Sequence, residues 1–360
     1  MTKRERVEAV YALRKADRIP FVPAIYEHKG ALVGVSPSVI CRNADYLYQA
    51  LLKELETYDP DMLVIGIDVY NVEAEALGCK VVYFENSNDV PGIVEPIIDS
   101  PAGLAKLGVP DPESAARMPV YLNVAERLYK AIGKDVILRG AVTGPYSMAA
   151  ELIGAEKFVL LTMDDPDFAR QVMEFCARVT VEFGKAFLRR GVEPIMFDSR
   201  ATPTLASPRI VKQLLMPIYR DYVLPELKAA GGRFLPLIIG GNTTSIIDDL
   251  IATGATQFLS DRPANLQKWC EKALAARVPV RANVDAVLVN RGPVSAIRRQ
   301  ALEILKDHHG HPGFLLGCGV VGYDCKKEHV LAIKQCLDEL AAGALDFDKE
   351  LAALETTPLR

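Results

Sequence analysis

The stretch Phe234–Asp261, FLPLIIGGNTTSIIDDLIATGATQFLSD, decides the fold class. An apolar strand breaks at Gly240-Gly241-Asn242, a helical segment follows, and a second strand ends on the carboxylate of Asp261. A strand, a glycine turn, a helix and a parallel strand together form one βαβ unit. Because such units bind ligands at the carboxyl ends of their strands, this stretch also predicts a site beside the turn.

The same alternation of short apolar runs and longer amphipathic stretches continues along the chain. Eight runs lack polar alternation and end at polar or glycine residues, as is typical of strands buried on both faces: 19–25, 62–67, 136–142, 194–197, 234–239, 256–260, 278–284 and 314–318. With helices between them, they predict an α/β fold of the (β/α)₈ TIM-barrel type, with an N-terminal helical extension and inserted helices. A doubly wound sheet is the alternative, but no G-x-G-x-x-G follows the first strand.

The chain is predicted to form a single domain over residues 1–360, because it contains no linker, repeat or low-complexity segment. The length alone would suggest two domains, but α/β barrels routinely use this much chain as one. Residues 29–61 and 84–134 are interpreted as helices and loops inserted between strands. Residues 341–360 are predicted to be helical and charged, forming either a surface appendage or a homodimer contact.

Composition and charge limit the class of protein. Of the 360 residues, half are apolar and about a quarter are charged, and the net charge is −4. This balance gives no electrostatic basis for binding nucleic acid or an anionic membrane, so neither is expected as a partner. The charged N-terminus is not expected to act as a signal peptide, and no apolar run reaches the roughly 18 residues of a membrane span. The seven scattered cysteines then indicate a cytoplasmic protein with reduced thiols.

Polar residues follow most of the predicted strands, at the end of a barrel where chemistry takes place. They are rich in carboxylates, and they include Glu27, to which no role is assigned. Catalytic roles are predicted for three of them: His28, Asp68 and Asp198. Substrate contacts are predicted for seven others: Tyr26, Tyr146, Arg200, Gly241, Asn242, Asp261 and Tyr323.

Several of these residues also have an ordinary structural interpretation. Asp198 and Arg200 would form an ion pair that fixes a loop, and Asp68 or Asp261 would cap the next helix. The glycine turn would either present its N–H groups to an anion or simply connect a strand to a helix. Histidine changes charge near neutral pH, and among the histidines of the chain His28 is favoured as a general acid, a general base or a ligand.

Six collinear segments resemble the uroporphyrinogen decarboxylase superfamily. They span nearly the whole chain: VEAEALGC (72–79), TGPYSMAAELIG (143–154), MFDSRATPTLASP (196–208), GGNTTSIIDDLIATGA (240–255), ANVDAVLVNRGP (282–293) and LGCGVVGYDCKKEHVLAI (316–333). The superfamily contains the decarboxylase itself and the cobalamin-dependent methyltransferases. The resemblance implies a (β/α)₈ barrel, in agreement with the strand pattern.

The chain departs from the decarboxylase pattern at several positions. The loop after the first strand, IYEHKGALVG (25–34), lacks the arginines that grip substrate carboxylates in that enzyme. Glu151 stands where the decarboxylase has a tyrosine, and Cys318 stands where it has a histidine. Asp68 matches its essential aspartate only approximately. These departures argue against uroporphyrinogen decarboxylation, and the segment VEAEALGC (72–79) and Cys318 resemble the methyltransferase branch more closely.

In the methyltransferase branch a His-x-Cys pair and a later cysteine bind zinc, which activates a thiol acceptor. Here that pair falls on Ile238 and Gly240, so Cys318 is the one ligand that remains. Whether zinc is bound is left open, because one thiolate does not make a zinc site.

The resemblance implies a component that moves a methyl group between a small methylated substrate, such as a methyl ether, and a corrinoid on a separate protein. Two alternatives stay open. One is a decarboxylase acting on a uroporphyrinogen-like or other small carboxylated substrate. The other is a non-catalytic member of the family that binds a tetrapyrrole or corrinoid.

Overall fold

The computed structural model describes residues 1–355 as an α/β fold. The strands in this part of the chain are β1 (Met62–Ile65), β2 (Lys80–Val82), β3 (Gly92–Glu95), β4 (Ile137–Thr143), β5 (Glu193–Phe197), β6 (Pro236–Ile238), β7 (Gln257–Ser260), β8 (Val280–Val284) and β9 (Phe314–Cys318). Seven of them form a parallel sheet in the order β1-β4-β5-β6-β7-β8-β9, while β2 and β3 form a separate antiparallel pair.

Helices connect and surround the sheet. In the first half of the chain they are α1 (Lys3–Tyr11), α2 (His28–Val33), α3 (Pro37–Ile40), α4 (Ala44–Tyr58), α5 (Asn71–Ala76), α6 (Pro101–Leu104), α7 (Met118–Ile132), α8 (Pro145–Ile153), α9 (Ala155–Asp164) and α10 (Pro166–Leu188). In the second half they are α11 (Pro208–Ile210), α12 (Met216–Ile218), α13 (Leu224–Ala229), α14 (Ile247–Ile251), α15 (Leu266–Ala275), α16 (Ala286–Arg291), α17 (Val294–His308), α18 (Lys327–Ala341) and α19 (Phe347–Glu355). Short 3₁₀ turns cover Ser199–Ala201 and Thr244–Ile246, and π segments cover Val211–Leu215 and Tyr219–Val223.

Seven of the eight predicted strands are confirmed, but the strand predicted over 19–25 is wrong. This segment forms only two isolated bridges, Phe21 with Leu316 and Ile25 with Val321. Pro20 and Pro23 explain the difference, because each proline lacks the N–H that a ladder of hydrogen bonds requires. The observed sheet therefore has seven strands instead of the eight of the predicted barrel.

Residues 20–25 are nevertheless held between the two edges of the sheet. On one side the Val22 N–H donates to the carbonyl of Leu316 in β9 at 2.8 Å. On the other side the Phe21 N–H donates to the carboxylate of Asp61 at 2.7 Å, and the Asp61 N–H donates to the Phe21 carbonyl at 2.9 Å. Asp61 immediately precedes β1, so a few hydrogen bonds join this segment to both edge strands.

Alternate residues of the strands meet inside the curved sheet. An upper layer contains Val64, Ala141, Ile195, Ile238 and Leu259, together with three further side chains: Ala24, Tyr26 and Phe197. A lower layer packs against α1, the predicted helical extension, which covers the amino ends of the strands. The free space inside the sheet is therefore left at the carboxyl ends.

Two regions of the chain differ from the sequence interpretation or extend beyond it. The predicted insertion 84–134 contributes β3, whose pairing with β2 was not predicted. The predicted tail helix 341–360 is observed as α19, and its last residues, 356–360, lie outside the described residues. Among the helices of residues 1–355, none combines the length and the apolar character needed to cross a bilayer.

Candidate active site

A cavity of about 350 Å³ opens at the carboxyl ends of the strands. It brings together three of the predicted site residues, Tyr26, Asp68 and Asp261, with Glu27 and Arg281. Its other walls come from segment 20–25, from the loop between β2 and β3, and from the ends of β1, β5, β6, β7, β8 and β9 with the loops that follow them. These residues are Ala24, Ile67, Val69, Tyr70, Asn71, Val90, Phe197, Ser199, Ile238, Gly240, Leu259, Asn283, Ala286, Gly319 and Val320. The other eight predicted residues do not line it.

Asp68 lies at the cavity wall but is already paired. Its carboxylate accepts a hydrogen bond from Arg117 Nη1 at 2.6 Å and another from the Tyr121 hydroxyl at 2.7 Å. Arg117 is itself buried, and its Nε donates to Glu75. The two elements α5 and α7 are therefore joined to the end of β1 by charged hydrogen bonds. A carboxylate held in this way is a rigid wall of the cavity rather than a free base.

His28 lies behind the cavity wall, where both ring nitrogens are engaged. Nδ1 lies 3.1 Å from the carbonyl oxygens of Gly322 and Tyr323, so this nitrogen carries the proton. Nε2 then accepts a hydrogen bond from the Tyr58 hydroxyl at 2.7 Å. Burial lowers the pKa of His28, which favours the neutral ring. His28 thus fastens α2 to the loop after β9, and Tyr323 contributes its carbonyl to that contact.

Asp198 caps a helix instead of facing the cavity. It is fully buried and accepts hydrogen bonds from Ser147 N at 2.6 Å and from the Tyr219 hydroxyl at 2.9 Å. These donors, with Tyr146 N at 3.3 Å, place its charge at the start of α8. Burial raises the pKa of Asp198 to about 6, although the same donors oppose that rise.

The ion pair considered between Asp198 and Arg200 is not formed. Arg200 Nε instead donates to Glu151 at 2.8 Å. Arg200 and Tyr146 line a second cavity of about 370 Å³ over α8 and α9. The Tyr146 ring packs edge-on against Phe158, and its hydroxyl is buried without a hydrogen-bond partner.

The glycine turn after β6 uses its own polar groups locally. Gly241 has φ +76°, a left-handed conformation that favours glycine, and its N–H donates to Asp261 at 3.0 Å. The exposed Asn242 accepts a hydrogen bond from Thr244 N at 3.2 Å. Asp261 is therefore oriented by the turn while its carboxylate still borders the cavity.

The residues at the positions of the family's zinc ligands do not fit zinc. Ile238 and Gly240 border the cavity without any donor atom on a side chain. Cys318 has no exposed surface, and burial raises the pKa of its thiol to about 12. Within residues 1–355, no group of three or more His, Cys, Asp or Glu side chains is placed to hold a metal ion. The zinc chemistry implied by the resemblance has no set of ligands here.

Glu73, on α5, is a buried carboxyl that accepts a hydrogen bond from the Thr143 N–H at 2.6 Å, and this bond opposes the effect of burial on its pKa. Burial raises its pKa to about 7. The Thr143 hydroxyl lies 2.6 Å from the Val69 carbonyl and 2.8 Å from Glu73 Oε2, but it has one proton for these two acceptors. A protonated Glu73 resolves the conflict, because it donates to Thr143 while Thr143 donates to Val69.

Glu73→Gln is expected to remove part of the pH dependence of stability. Because the pKa is raised on folding, Glu73 contributes stability that is complete below the ordinary pKa and is lost as the pH rises through about 7. The variant should match the wild type near pH 4 and exceed it by on the order of 2 kcal/mol near pH 8. Urea unfolding at several pH values measures this, with the exposed Glu303→Gln as control. A difference that stays constant with pH would contradict it.

Arg281 was missed by the sequence analysis. It lies on β8, has only 4% of its surface exposed, and lines the cavity. In the described chain it forms no hydrogen bond and no ion pair. The available signal was a charge inside an apolar strand, VPVRANV (278–284), which is unusual for a buried position. Arg139 gives the same signal in β4, yet it is bonded to the Phe234 carbonyl and the Tyr11 hydroxyl.

Arg281→Met is expected to stabilise the ligand-free protein by about 1–3 kcal/mol, because it removes an uncompensated buried charge. Arg139→Met is the matched control, since it removes an interior arginine that is fully bonded and should destabilise the protein. Thermal unfolding of both variants measures the contrast. If Arg281→Met lowers the melting temperature as Arg139→Met does, the charge is compensated after all.

A parallel α/β sheet with a cavity at the carboxyl ends of its strands defines the class of the protein as an α/β protein with a small-molecule site. Residues 2–340 match the family described as uroporphyrinogen decarboxylase (URO-D), and the chain belongs to this family. Members of this family are enzymes, and they include methyltransferases and decarboxylases.

Both kinds of enzyme occur among the relatives at similar identity. A methylcobamide:CoM methyltransferase MtaA of Methanosarcina barkeri is 24% identical over 274 residues, which cover 75% of this chain and 78% of the relative. A uroporphyrinogen decarboxylase of Burkholderia cenocepacia is 26% identical over 331 residues, which cover 86% of each. Sequence identity alone does not separate the two activities.

Solved structures with the same fold include a methyltransferase from Methanosarcina mazei, with a TM-score of 0.83 and 21% identity. The match covers 94% of this chain and 99% of that one. A B12-independent methionine synthase from Shewanella sp. W3-18-1 matches with a TM-score of 0.56 and 12% identity, covering 83% of this chain and 89% of that one. These similarities establish the fold.

Proposed function

We propose that the chain is a methyltransferase that moves a methyl group between a small methylated substrate and a corrinoid carried by a separate protein. The observation that carries this proposal is the size and charge of the cavity. It measures about 350 Å³, and Arg281 is the sole basic residue among the described residues that line it. Such a cavity suits a small molecule with at most one anionic group.

A decarboxylase of uroporphyrinogen would need a different cavity. Its substrate is a cyclic tetrapyrrole with an acetate and a propionate on every ring, so recognition requires more room and several cations. Here the wall instead contains the carboxyl groups of Glu27, Asp68 and Asp261. The nearby Lys29 is buried and paired with Glu54 at 3.4 Å. The decarboxylase relatives keep this activity as the second candidate, and the experiment below separates the two.

Glu27 is the residue we propose as general acid, in place of His28. A reduced corrinoid supplies the nucleophile that accepts the methyl group. The oxygen of a methyl ether keeps the bonding electrons and needs a proton, because an alkoxide is a poor leaving group. Glu27 borders the cavity, and burial raises its pKa, which keeps a proton available closer to neutral pH. Both nitrogens of His28 are occupied away from the cavity.

The rim of the cavity supports docking of a corrinoid partner. Val90 and Val320 border the cavity and are 36% and 46% exposed. Val287, which follows the cavity-lining Ala286, is 60% exposed. Exposed valines around an opening offer an apolar ring that a flat macrocycle could cover. Covering the opening would also exclude water from the reacting groups.

Methyl transfer can be tested with free cobalamin in place of the corrinoid protein. The full chain is mixed with reduced cobalamin and either methoxyacetate or anisole, and the absorbance of methylcobalamin is followed. We expect methylcobalamin to form only with the protein present. Glu27→Gln should slow its formation by about 10²-fold near pH 7, and the exposed Glu303→Gln should not. Release of carbon dioxide from uroporphyrinogen, with no methylcobalamin from either ether, would replace this function by decarboxylation.

A further inference from the structure

Arg281 differs from the other buried arginines of the described chain in having no partner. Arg6 is bonded to Asp17 and Asp61, Arg117 is bonded to Asp68 and Glu75, and Arg139 is bonded to the Tyr11 hydroxyl and the Phe234 carbonyl. Arg281 has 4% of its surface exposed and makes none of these contacts. An isolated guanidinium at this depth is costly, so its retention at a cavity points to a ligand.

The position of Arg281 places it at the floor of the cavity. It pairs in register with Leu259 of β7 and Leu315 of β9, below Asp261 and Asn283 in the same sheet. Side chains two residues apart on a strand point to the same face, so Arg281 and Asn283 both face the interior. Glu27 and Asp68 reach the same cavity from the ends of other segments.

The acidic groups of the cavity do not neutralise Arg281. Asp68 is held by Arg117 and Tyr121, and Asp261 accepts the Gly241 N–H. No carboxylate of the described chain lies within ion-pair distance of Arg281. Arg281 is therefore an unpaired positive charge in the cavity lining, and a bound anion would be drawn to it.

The chemistry of the guanidinium and of the walls limits what this anion can be. A guanidinium presents a planar fork of N–H donors that matches a carboxylate with two parallel hydrogen bonds. Around it the walls are largely apolar or aromatic, with Tyr26 and Phe197 edge-to-face at 5.7 Å and with Ile238 and Leu259 beside them. A carboxylate on an apolar or aromatic body fits both the fork and the walls.

We propose that Arg281 anchors the carboxylate of the substrate, and that the substrate is a small monocarboxylate with an apolar or aromatic body. The identification as a substrate rests on the proposed methyl transfer, whereas the anchoring itself is a binding property. The carboxylate lies on the floor, and the group that reacts points toward Glu27 and the opening. Arg281 is in this proposal a substrate-binding residue that selects for the anion.

The test compares carboxylates with their neutral amides. Calorimetry with the full chain measures the binding of benzoate and butyrate against benzamide and butyramide, with inorganic phosphate as a further anion. We expect at least one carboxylate to bind, with its amide and phosphate weaker by about 10–100-fold. Arg281→Gln should abolish this preference. Arg281→Lys should restore only part of it, because lysine keeps the charge but not the fork.

Several results would overturn the proposal. They are equal binding of carboxylate and amide, unchanged carboxylate binding in Arg281→Gln, tighter binding of phosphate, or no binding by either carboxylate. Circular dichroism and melting temperature establish that Arg281→Gln is folded, and Arg220→Gln on the surface serves as the matched control. Carboxylate binding through Arg281 without any methylcobalamin formation would leave the anchor standing and remove the proposed methyl transfer. Methyl transfer from anisole as fast as from methoxyacetate would leave the proposed methyl transfer standing and remove the anchor.

Discussion

Arg117→Met is expected to destabilise the protein by about 3–5 kcal/mol, because it leaves the buried Asp68 carboxylate without its charged partner. Arg117 Nη1 donates to Asp68 at 2.6 Å, and neither side chain has more than 6% of its surface exposed. Asp68 would still accept a hydrogen bond from the Tyr121 hydroxyl, but a single neutral donor does not compensate a buried charge. Urea unfolding near pH 7 measures the loss.

An exposed ion pair provides the control for Arg117→Met. Arg220 and Asp221 form an ion pair in which both side chains are more than half exposed. Arg220→Met should change the free energy of unfolding by less than about 1 kcal/mol, since solvent screens such pairs. Equal effects of the two substitutions would mean that the Asp68 carboxylate is reached by water. In addition, Asp68→Asn should rescue part of the loss in Arg117→Met by removing the unpaired charge.

Asp61→Ala is expected to cost a similar amount, about 3–5 kcal/mol, and to loosen residues 20–25. Asp61 has no exposed surface and accepts hydrogen bonds from Arg6 at 2.6 Å, from Arg18 at 2.8 Å and from the Phe21 N–H at 2.7 Å. Alanine leaves the two arginines facing each other without the charge between them. Urea unfolding measures the cost, and hydrogen exchange at the Phe21 amide measures the loosening.

Two asparagine variants make the test of Asp61 specific. Asp61→Asn keeps an acceptor for the Phe21 N–H and should lose less stability than Asp61→Ala. Asp59→Asn is the neighbouring control, because Asp59 is 54% exposed and its φ of +48° is tolerated by asparagine. Its effect should remain below about 1 kcal/mol. An equal loss in both asparagine variants would show that burial of Asp61 is not the cause.

The sheet was largely predictable because its strands are buried on both faces. Such strands appear in the sequence as continuous apolar runs, and seven of these runs are strands in the structure. The run 19–25 has the same composition, but its prolines cannot donate to a ladder. The pair β2–β3 is short and mostly outside the core, so no apolar pattern marks it.

Strand alternation explains which predicted site residues reach the cavity. Ala24 and Leu259 face the interior, so Tyr26 and Asp261, two positions later, face it as well. Phe197 also faces the interior, and the next residue, Asp198, therefore points outward to α8. The location of these residues just after a strand predicted the correct end of the sheet. Which face a residue lies on depends on whether it is an odd or an even number of positions from an interior-facing residue of the same strand.

The remaining site residues depend on information that one sequence does not contain. Arg139 and Arg281 both interrupt apolar strands, but only distant residues such as Tyr11 decide which arginine is satisfied. The pairing of Asp68 with Arg117 likewise joins segments that are far apart in the chain. Such contacts follow from the tertiary fold, so the sequence could nominate these side chains without assigning their roles.

The proline-containing segment 20–25 has a consequence for the motions of the molecule. Strands in the continuous part of the sheet are held by regular ladders of backbone hydrogen bonds, whereas this segment is joined to its neighbours by a few hydrogen bonds. Its local opening should therefore require less free energy than global unfolding. Since the same segment leads directly into Tyr26 and Glu27, its fluctuations would widen one side of the cavity. A ligand that contacts Tyr26 would in turn reduce the fluctuations of segment 20–25. Ligand binding and the rigidity of this weakly bonded segment would therefore be coupled.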